Sequence, residues 1–269
     1  MPIVNIADIE IFFTKTGSGE PFLIFPDNHL SSLAYKKEID HFANHFEVIA
    51  FDYPTMGKST HQVKYPDERQ VDYWGFWADL ACHLLTELEI NRCFALGVGG
   101  GALTALHFAG KQAVQHNIKM GGLILDSFLA DWDNRTLHRW LDAREHFYVR
   151  NEKSLLEQHG EDWRSVVDED TEFLRTLANH GGYAVPDSIL NSISCPTLLT
   201  GHLQDPTLPN LAEEYAWISK IIPQCSIFLA AKGNHPYIER PFMWTDPESF
   251  RLVSDHFLDE ILKKSISDF

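Results

Sequence analysis

A glycine-rich turn and two later polar loops contain the residues that could do chemistry. Residues 94–107 read as a buried strand, a tight turn and a helix, which is the outline of a Gly-x-Ser-x-Gly turn that holds a serine hydroxyl above the end of a sheet. Gly99 stands at the serine position. Asp205 and His235 follow in the loops after two later predicted strands. The chain order is therefore a nucleophile position, an acid and a histidine, unlike the orders of trypsin-like and subtilisin-like enzymes.

The nucleophile position has no reactive atom. Because Gly99 lacks a side chain, an acyl-enzyme at this residue is impossible. Thr104 lies more than one helical turn further on, and Ser127 follows a neighbouring strand, where it is better explained as the first residue of an insertion. Glycine tolerates the strained backbone of such a turn, so we expect the fold to be stable without the hydroxyl.

Strands and helices alternate along most of the chain. Short strands are predicted at 3–5 and 9–15, buried strands at 22–25, 46–51, before Gly99, and at 121–126, 196–200 and 226–229, and helices at 33–43, 71–88, 211–221 and 250–262. Continuous apolar runs are typical of strands that helices cover on both faces. The alternation predicts an α/β protein with a doubly wound, mostly parallel sheet.

The alternation stops between residues 127 and 190. Eight aromatic residues stand there among many charges, with helical spacing and no good strand. We expect an all-helical insertion that forms a lid over the carboxyl edge of the sheet, where ligands bind in such folds. The predicted core is then 1–126 and 191–269, and the predicted lid is 127–190. An aromatic lid favours an apolar or aromatic small molecule as substrate or ligand.

Together these features resemble the α/β-hydrolase superfamily of the helical-lid type. The resemblance extends from Ile3 to Leu262 and includes a turn at 17–20 before the strand at 22–25, a turn-rich loop at 52–59, the glycine turn and the insertion. The resemblance implies that His235 is the general base and that Asp205 fixes its imidazole tautomer.

The resemblance also implies an oxyanion hole. Its donors would be the backbone N–H of Gly100 and that of Asp27, which lies in the loop after the strand at 22–25. The sequence departs from the family here, because Phe25-Pro26 stands where His-Gly is common. The Asp27 carboxylate would oppose a developing oxyanion unless its side chain turns away.

Composition excludes several classes of partner. A chain of 269 residues with 44% hydrophobic content can fill one α/β core with an insertion. Its formal charge is -16 and its sequence has no cluster of basic residues, so we expect neither nucleic acid nor a membrane as partner. The amino terminus lacks the features of a signal peptide and no run reaches 18 apolar residues, which predicts a cytoplasmic protein.

We expect neither a metal nor a cofactor. The four cysteines have no Cys-x-x-Cys spacing and are predicted to be reduced thiols, mostly buried. The spacing of His29, His107 and His202, taken with His235, matches no pattern of metal ligands.

Three functions explain a hydrolase framework with Gly99. The first is a serine-type hydrolase of small acyl compounds (ester, thioester or lactone) in which position 99 has been changed from serine. The second is a non-serine enzyme in which the His235–Asp205 pair acts as general base, for direct hydrolysis, a lyase or isomerase reaction, or cofactor-free oxygenation. The third is a receptor or pseudoenzyme that binds a small ligand without turnover. A void beside Gly99 would favour the first two, and a space filled by Phe25 or Asp27 would favour the third.

Overall fold

The computed structural model describes residues 2–61, 63, 72–232 and 241–267. The strands in these ranges are β1 (Ile3–Ile6), β2 (Ile9–Gly17), β3 (Glu20–Phe25), β4 (Phe46–Phe51), β5 (Arg92–Val98), β6 (Lys119–Asp126), β7 (Asp131–Asp133), β8 (Gly182–Ala184), β9 (Thr197–His202) and β10 (Cys225–Ala230). The helices are α1 (Lys36–Phe42), α2 (Tyr73–Glu87), α3 (Gly100–His107), α4 (Ala113–Gln115), α5 (Asn134–His159), α6 (Trp163–Asn179), α7 (Asp187–Leu190), α8 (Leu211–Ile221), α9 (Phe242–Thr245) and α10 (Pro247–Ser267).

Eight strands form the central sheet in the order β1-β2-β4-β3-β5-β6-β9-β10. β2 pairs antiparallel with β1 and with β4, and the other neighbours pair parallel. The predicted α/β fold with a mostly parallel sheet is therefore confirmed. Because parallel strands end at the same edge, the loops that follow β3, β5, β6 and β9 meet there, and ligands bind at this edge in open α/β sheets.

Hydrophobic clusters lie on both faces of the sheet. In β3, Phe22 and Ile24 belong to one cluster, whereas Leu23 and Phe25 belong to the other. Successive side chains of a strand point to opposite faces, so a strand covered on both sides must be apolar throughout. Helices α2, α3 and α8 contribute to one cluster, and α1 and α10 to the other. The sheet edge that carries the site is thus held from both sides.

Residues 127–190, called the insertion below, are not entirely helical. Long helices α5 and α6 pack against each other, but β7 pairs antiparallel with β8 at the two ends of the segment, with Trp132 opposite Tyr183. The prediction of an all-helical insertion was wrong in this respect. Strands of three residues are too short for an alternating pattern, and their pairing joins residues distant in sequence.

Smaller features complete the fold. A 3₁₀ helix, Ser32–Tyr35, precedes α1 within the predicted helix 33–43. The four cysteines are free thiols, and Cys225 alone among them is not buried. Among the helices of the described ranges, none combines the length and the apolar character needed to cross a membrane.

Candidate active site

The turn at Gly99 has the geometry predicted from the glycine-rich motif. β5 ends at Val98 and α3 begins at Gly100, while Gly99 between them has φ 56° and ψ −123°. The Gly99 N–H donates to the carbonyl oxygen of Asp126 at 3.0 Å. A positive φ is strained for residues with a β-carbon, so glycine suits this position. The turn places residue 99 at the carboxyl edge of the sheet, with α3 starting directly behind it.

The Asp27 carboxylate occupies the space above Gly99. Asp27 Oδ1 accepts hydrogen bonds from the backbone N–H of Gly100 at 2.6 Å and from that of Asn28 at 2.8 Å. A β-carbon at position 99 would lie 2.5 Å from Asp27 Cγ and 2.7 Å from Oδ2, which is closer than real contacts allow. The carboxylate therefore stands where a serine side chain would be.

The role of Asp27 differs from the sequence prediction. Its backbone N–H, predicted as the second oxyanion donor, instead donates to the hydroxyl oxygen of the buried Tyr35 at 2.7 Å. The Asn28 N–H stands beside that of Gly100, and both donate to Asp27. Charge-assisted hydrogen bonds to a carboxylate are stronger than neutral ones, and Gly99 leaves room for the side chain to turn inward. The predicted oxyanion position is thus filled by a side chain of the same loop.

The surroundings of Asp27 favour its neutral, protonated form. Burial raises the pKa of this carboxyl from 3.8 to about 7, although the Gly100 N–H and the positive charge of Arg144 act in the opposite direction. Such a group exchanges protons readily at neutral pH and is typical of active sites.

Asp205 also borders the site. It follows β9, is buried, and its Oδ1 accepts hydrogen bonds from the Thr207 N–H at 2.8 Å and the Thr207 hydroxyl at 2.5 Å. Its Oδ2 lies 3.8 Å from His202 Nε2. Asp205, Asp27 and Gly99 line one cavity. The predicted base His235 lies outside the described residues, so its position relative to these groups stays a prediction.

Asp126 and Ser127 anchor the chain that follows residue 240. Ser127 Oγ accepts a hydrogen bond from the Phe242 N–H at 2.7 Å, and Asp126 Oδ2 accepts one from the Met243 N–H at 3.1 Å. Thr200 donates its hydroxyl to Asp126 Oδ1 at 2.7 Å. Burial raises the pKa of Asp126 to about 7. These contacts give Ser127 a structural role, and Ser127 also lines the cavity that Asp27 borders.

The cavity has a volume of about 220 Å³ and lies between the sheet edge and the insertion. Aromatic side chains make up much of its wall. Trp132, Trp140 and Phe147 come from the insertion, and Trp244 comes from α9. The polar part of the wall includes Asp27, His29, Arg144 and Asp205. The cavity therefore combines an aromatic wall with a limited number of polar groups, as small-molecule sites do.

A buried polar network joins the insertion to the Asp27 loop. The Asp170 carboxylate accepts hydrogen bonds from Arg144 Nη2 and, at 3.0 Å, from Asn28 Nδ2. Arg144 Nη2 also donates to His29 Nδ1 at 2.6 Å. Burial and the Arg144 charge hold the pKa of His29 well below its usual range, so His29 is neutral. No sequence pattern predicts this network, because its members are single polar residues on separate elements.

His29 and His107, two of the histidines considered as metal ligands, make hydrogen-bond contacts within the fold. His29 belongs to the buried network, and His107 Nε2 lies 2.6 Å from the hydroxyl of Tyr183. Outside the cavity, Asp79, His83 and His116 bring potential ligand atoms within 4.8 Å of one another.

Comparison with known proteins identifies the family. The family sequence model described as the alpha/beta hydrolase family matches residues 21–248, and the chain belongs to that family. A comparison of the sequence with curated proteins found no match.

Solved structures share the fold at low sequence identity. The enol-lactonase from Burkholderia xenovorans LB400 has a TM-score of 0.69 and 14% identity, over 96% of this chain and 100% of that chain. The esterase EaEST from Exiguobacterium antarcticum has a TM-score of 0.69 and 15% identity, over 96% and 98%. A thermophilic esterase from Thermogutta terrifontis has a TM-score of 0.65 and 20% identity, over 94% of both chains.

Proposed function

We propose that the protein hydrolyses small ester-type compounds (esters, thioesters or lactones) with an apolar or aromatic acyl group, and that Asp27 supplies the reactive group that Gly99 lacks. One observation carries the proposal: the Asp27 carboxylate fills the space of the absent side chain and borders the cavity. Membership of the alpha/beta hydrolase family supports it, as do structural neighbours described as esterases and an enol-lactonase.

The fit between Asp27 and Gly99 bears on the first of the three functions considered from the sequence. If position 99 had simply lost a serine, the space above it would be open for the serine side chain. Instead a β-carbon there would collide with Asp27. The arrangement supports a site in which glycine at 99 and an acid at 27 belong together.

The remaining roles follow the sequence assignment. Asp205 borders the cavity after β9, the position expected for the acid that orients a histidine. In this proposal His235 is that histidine, and it takes a proton from the attacking water. The aromatic wall binds the acyl group and keeps bulk water away from the reacting bond.

A second candidate is binding without turnover. The filling of the space beside Gly99 by Asp27 is the outcome that the sequence analysis assigned to this candidate. In addition, Asp27 Oδ1 uses the N–H groups that would otherwise bind an oxyanion. A ligand could then fill the cavity without reacting. The two candidates differ in whether Asp27 is chemically active.

Turnover of 4-nitrophenyl phenylacetate tests the proposal. We expect hydrolysis by the native protein, a loss of at least about 100-fold in kcat for Asp27→Asn and for His235→Ala, and no change for the exposed control Asp142→Asn. Equal rates for native protein and Asp27→Asn would contradict the proposal. Absence of turnover, combined with saturable binding of phenylacetate, would establish the second candidate.

A further inference from the structure

The two oxygens of the Asp27 carboxylate have different surroundings. Oδ1 accepts both backbone hydrogen bonds, from Gly100 and from Asn28. Within the described ranges, no hydrogen bond to Oδ2 is present, and Asp27 forms part of the cavity wall. Two backbone N–H groups aimed at one oxygen are the arrangement that stabilises an oxyanion formed at a carbonyl carbon. Here that carbon is Cγ of Asp27 itself.

We infer that Asp27 is a covalent nucleophile: Oδ2 attacks the acyl carbon of the substrate, and the Gly100 and Asn28 N–H groups later stabilise the oxyanion that forms on Oδ1. The inference rests on the proposed function for its substrate class. It adds the identity of the attacking atom and the role of the two N–H groups.

The reaction has two balanced steps. In the first, an Oδ2 electron pair forms a bond to the acyl carbon, and the bond from that carbon to the leaving oxygen breaks; 4-nitrophenolate departs with the electron pair. The result is an anhydride between Asp27 and the acyl group. In the second, water attacks Asp27 Cγ, loses a proton to a base, and the bond between Cγ and Oδ2 breaks. The acid product leaves with the former Oδ2, and Asp27 keeps the oxygen of water.

The hydrogen bonds have a role in this route that general-base attack of water on the ester does not use. In either route the first attack places negative charge on the substrate's carbonyl oxygen, which the Gly100 and Asn28 N–H groups do not bind because Asp27 engages them. The covalent route has a second oxyanion, on Oδ1 of Asp27, and the same two donors already bind that oxygen. Gly99 contributes by its size, since a β-carbon would lie 2.7 Å from Oδ2.

Single-turnover hydrolysis in ¹⁸O-labelled water tests the attacking atom. With the native enzyme in excess over 4-nitrophenyl phenylacetate, we expect one ¹⁸O in the proteolytic peptide that contains Asp27 and unlabelled phenylacetate. Peptides without residue 27 serve as the internal control, and Asp27→Asn gives the rate of uncatalysed hydrolysis. Label in phenylacetate at the catalysed rate, with none in Asp27, would overturn the inference.

Alkylation with phenacyl bromide tests Oδ2 without any ester substrate. The oxygen displaces bromide and forms a stable ester that peptide mapping locates. Asp126 is the matched control, because burial also raises its pKa to about 7 but both of its oxygens accept hydrogen bonds. We expect modification at Asp27 and none at Asp126. If the enzyme hydrolyses the ester but Asp27 is not alkylated, the inference is overturned and the proposed function is not. If Asp27 is alkylated but the protein hydrolyses no ester, the proposed function is contradicted, while Oδ2 is still shown to be nucleophilic.

Discussion

Asp27 and Gly99 occupy one site between them: the carboxylate of the first fills the volume that a side chain on the second would need. A β-carbon at residue 99 would come within 2.5 Å of Asp27 Cγ, and the N–H of the next residue, Gly100, holds the carboxylate there at 2.6 Å. With its carboxylate held in this place, Asp27 leaves room only for glycine at position 99.

Gly99→Ala should destabilise the protein more than a positive φ alone explains. Gly160→Ala is the matched control, because Gly160 has φ 73° but a β-carbon there would meet nothing within 4 Å. Strain at one such residue costs about 1 kcal/mol. The collision with Asp27 should raise the loss for Gly99→Ala to about 3 kcal/mol or more, measured by urea unfolding. Equal losses for the two variants would mean that the carboxylate does not fill the space above Gly99.

Gly99→Ser should not by itself create a serine hydrolase, because the new side chain collides with Asp27. The double variant Gly99→Ser/Asp27→Gly removes the collision and frees the Gly100 N–H. We expect a fluorophosphonate probe to label the double variant and neither the native protein nor Asp27→Gly, because these two have no hydroxyl at position 27 or 99. Labelling of the Gly99→Ser single variant at the same rate as the double variant would contradict the steric argument.

The sequence was sufficient for the fold because its signals are local and repeated. Strands covered on both faces appear as continuous apolar runs, such as Phe22–Phe25, and each stands between amphipathic segments. The predicted limits agree with the observed ones within a few residues, and the helix Leu211–Ile221 agrees at both ends. Chain order also indicated the edge of the sheet at which Gly99 and Asp205 would lie.

The role of Asp27 could not be obtained in the same way. Which acceptor reaches the Gly100 N–H depends on how the loop after β3 turns, and the sequence permits either the backbone or the side chain of Asp27 to face the site. The Arg144–Asp170 pair is likewise invisible, because its members come from α5 and α6 and have no fixed spacing. Interactions between distant polar residues are decided by tertiary packing, for which a single sequence contains no periodic signal.

The stability of Asp27→Asn relative to the native protein should depend on pH. The folded pKa of Asp27, about 7, lies above its ordinary value of 3.8, so the folded state binds more protons between these values and native stability falls as pH rises through them. Asp27→Asn has no carboxylate to titrate, so it does not lose this stability. Between pH 4 and pH 8 its free energy of unfolding should therefore rise relative to that of the native protein by on the order of 4 kcal/mol. Urea unfolding from pH 4 to pH 8 measures the difference. Asp126 is present in both proteins, so its contribution to the pH dependence cancels in the comparison. If the difference in unfolding free energy between the two proteins did not change with pH, the raised pKa of Asp27 would be contradicted.

Breaking the Arg144–Asp170 pair should be strongly destabilising. Both side chains are buried, so Arg144→Met leaves the Asp170 carboxylate with its charge uncompensated, at a cost of about 3–5 kcal/mol. Arg164→Met is the control, since Arg164 pairs with Asp168 and Glu145 at the surface, and its loss should cost less than about 1 kcal/mol. Urea unfolding measures the loss of stability in each variant. If Arg144→Met lost no more stability than the control, the network would not be a stabilising link between the insertion and the Asp27 loop.

Trp244→Leu should weaken recognition of an aromatic acyl group while leaving the chemical step intact. Trp244 lines the cavity and packs against Tyr35, with ring centroids 5.4 Å apart, whereas Trp217 on α8 is 40% exposed and does not line the cavity. An aromatic contact contributes about 0.5–1.5 kcal/mol, so KM for 4-nitrophenyl phenylacetate should rise by up to about tenfold with little change in kcat. KM for 4-nitrophenyl propionate should change less, because that acyl group has no ring. Trp217→Leu should alter neither constant, and an equal rise in KM for both esters would show that Trp244 shapes the cavity without selecting aromatic substrates.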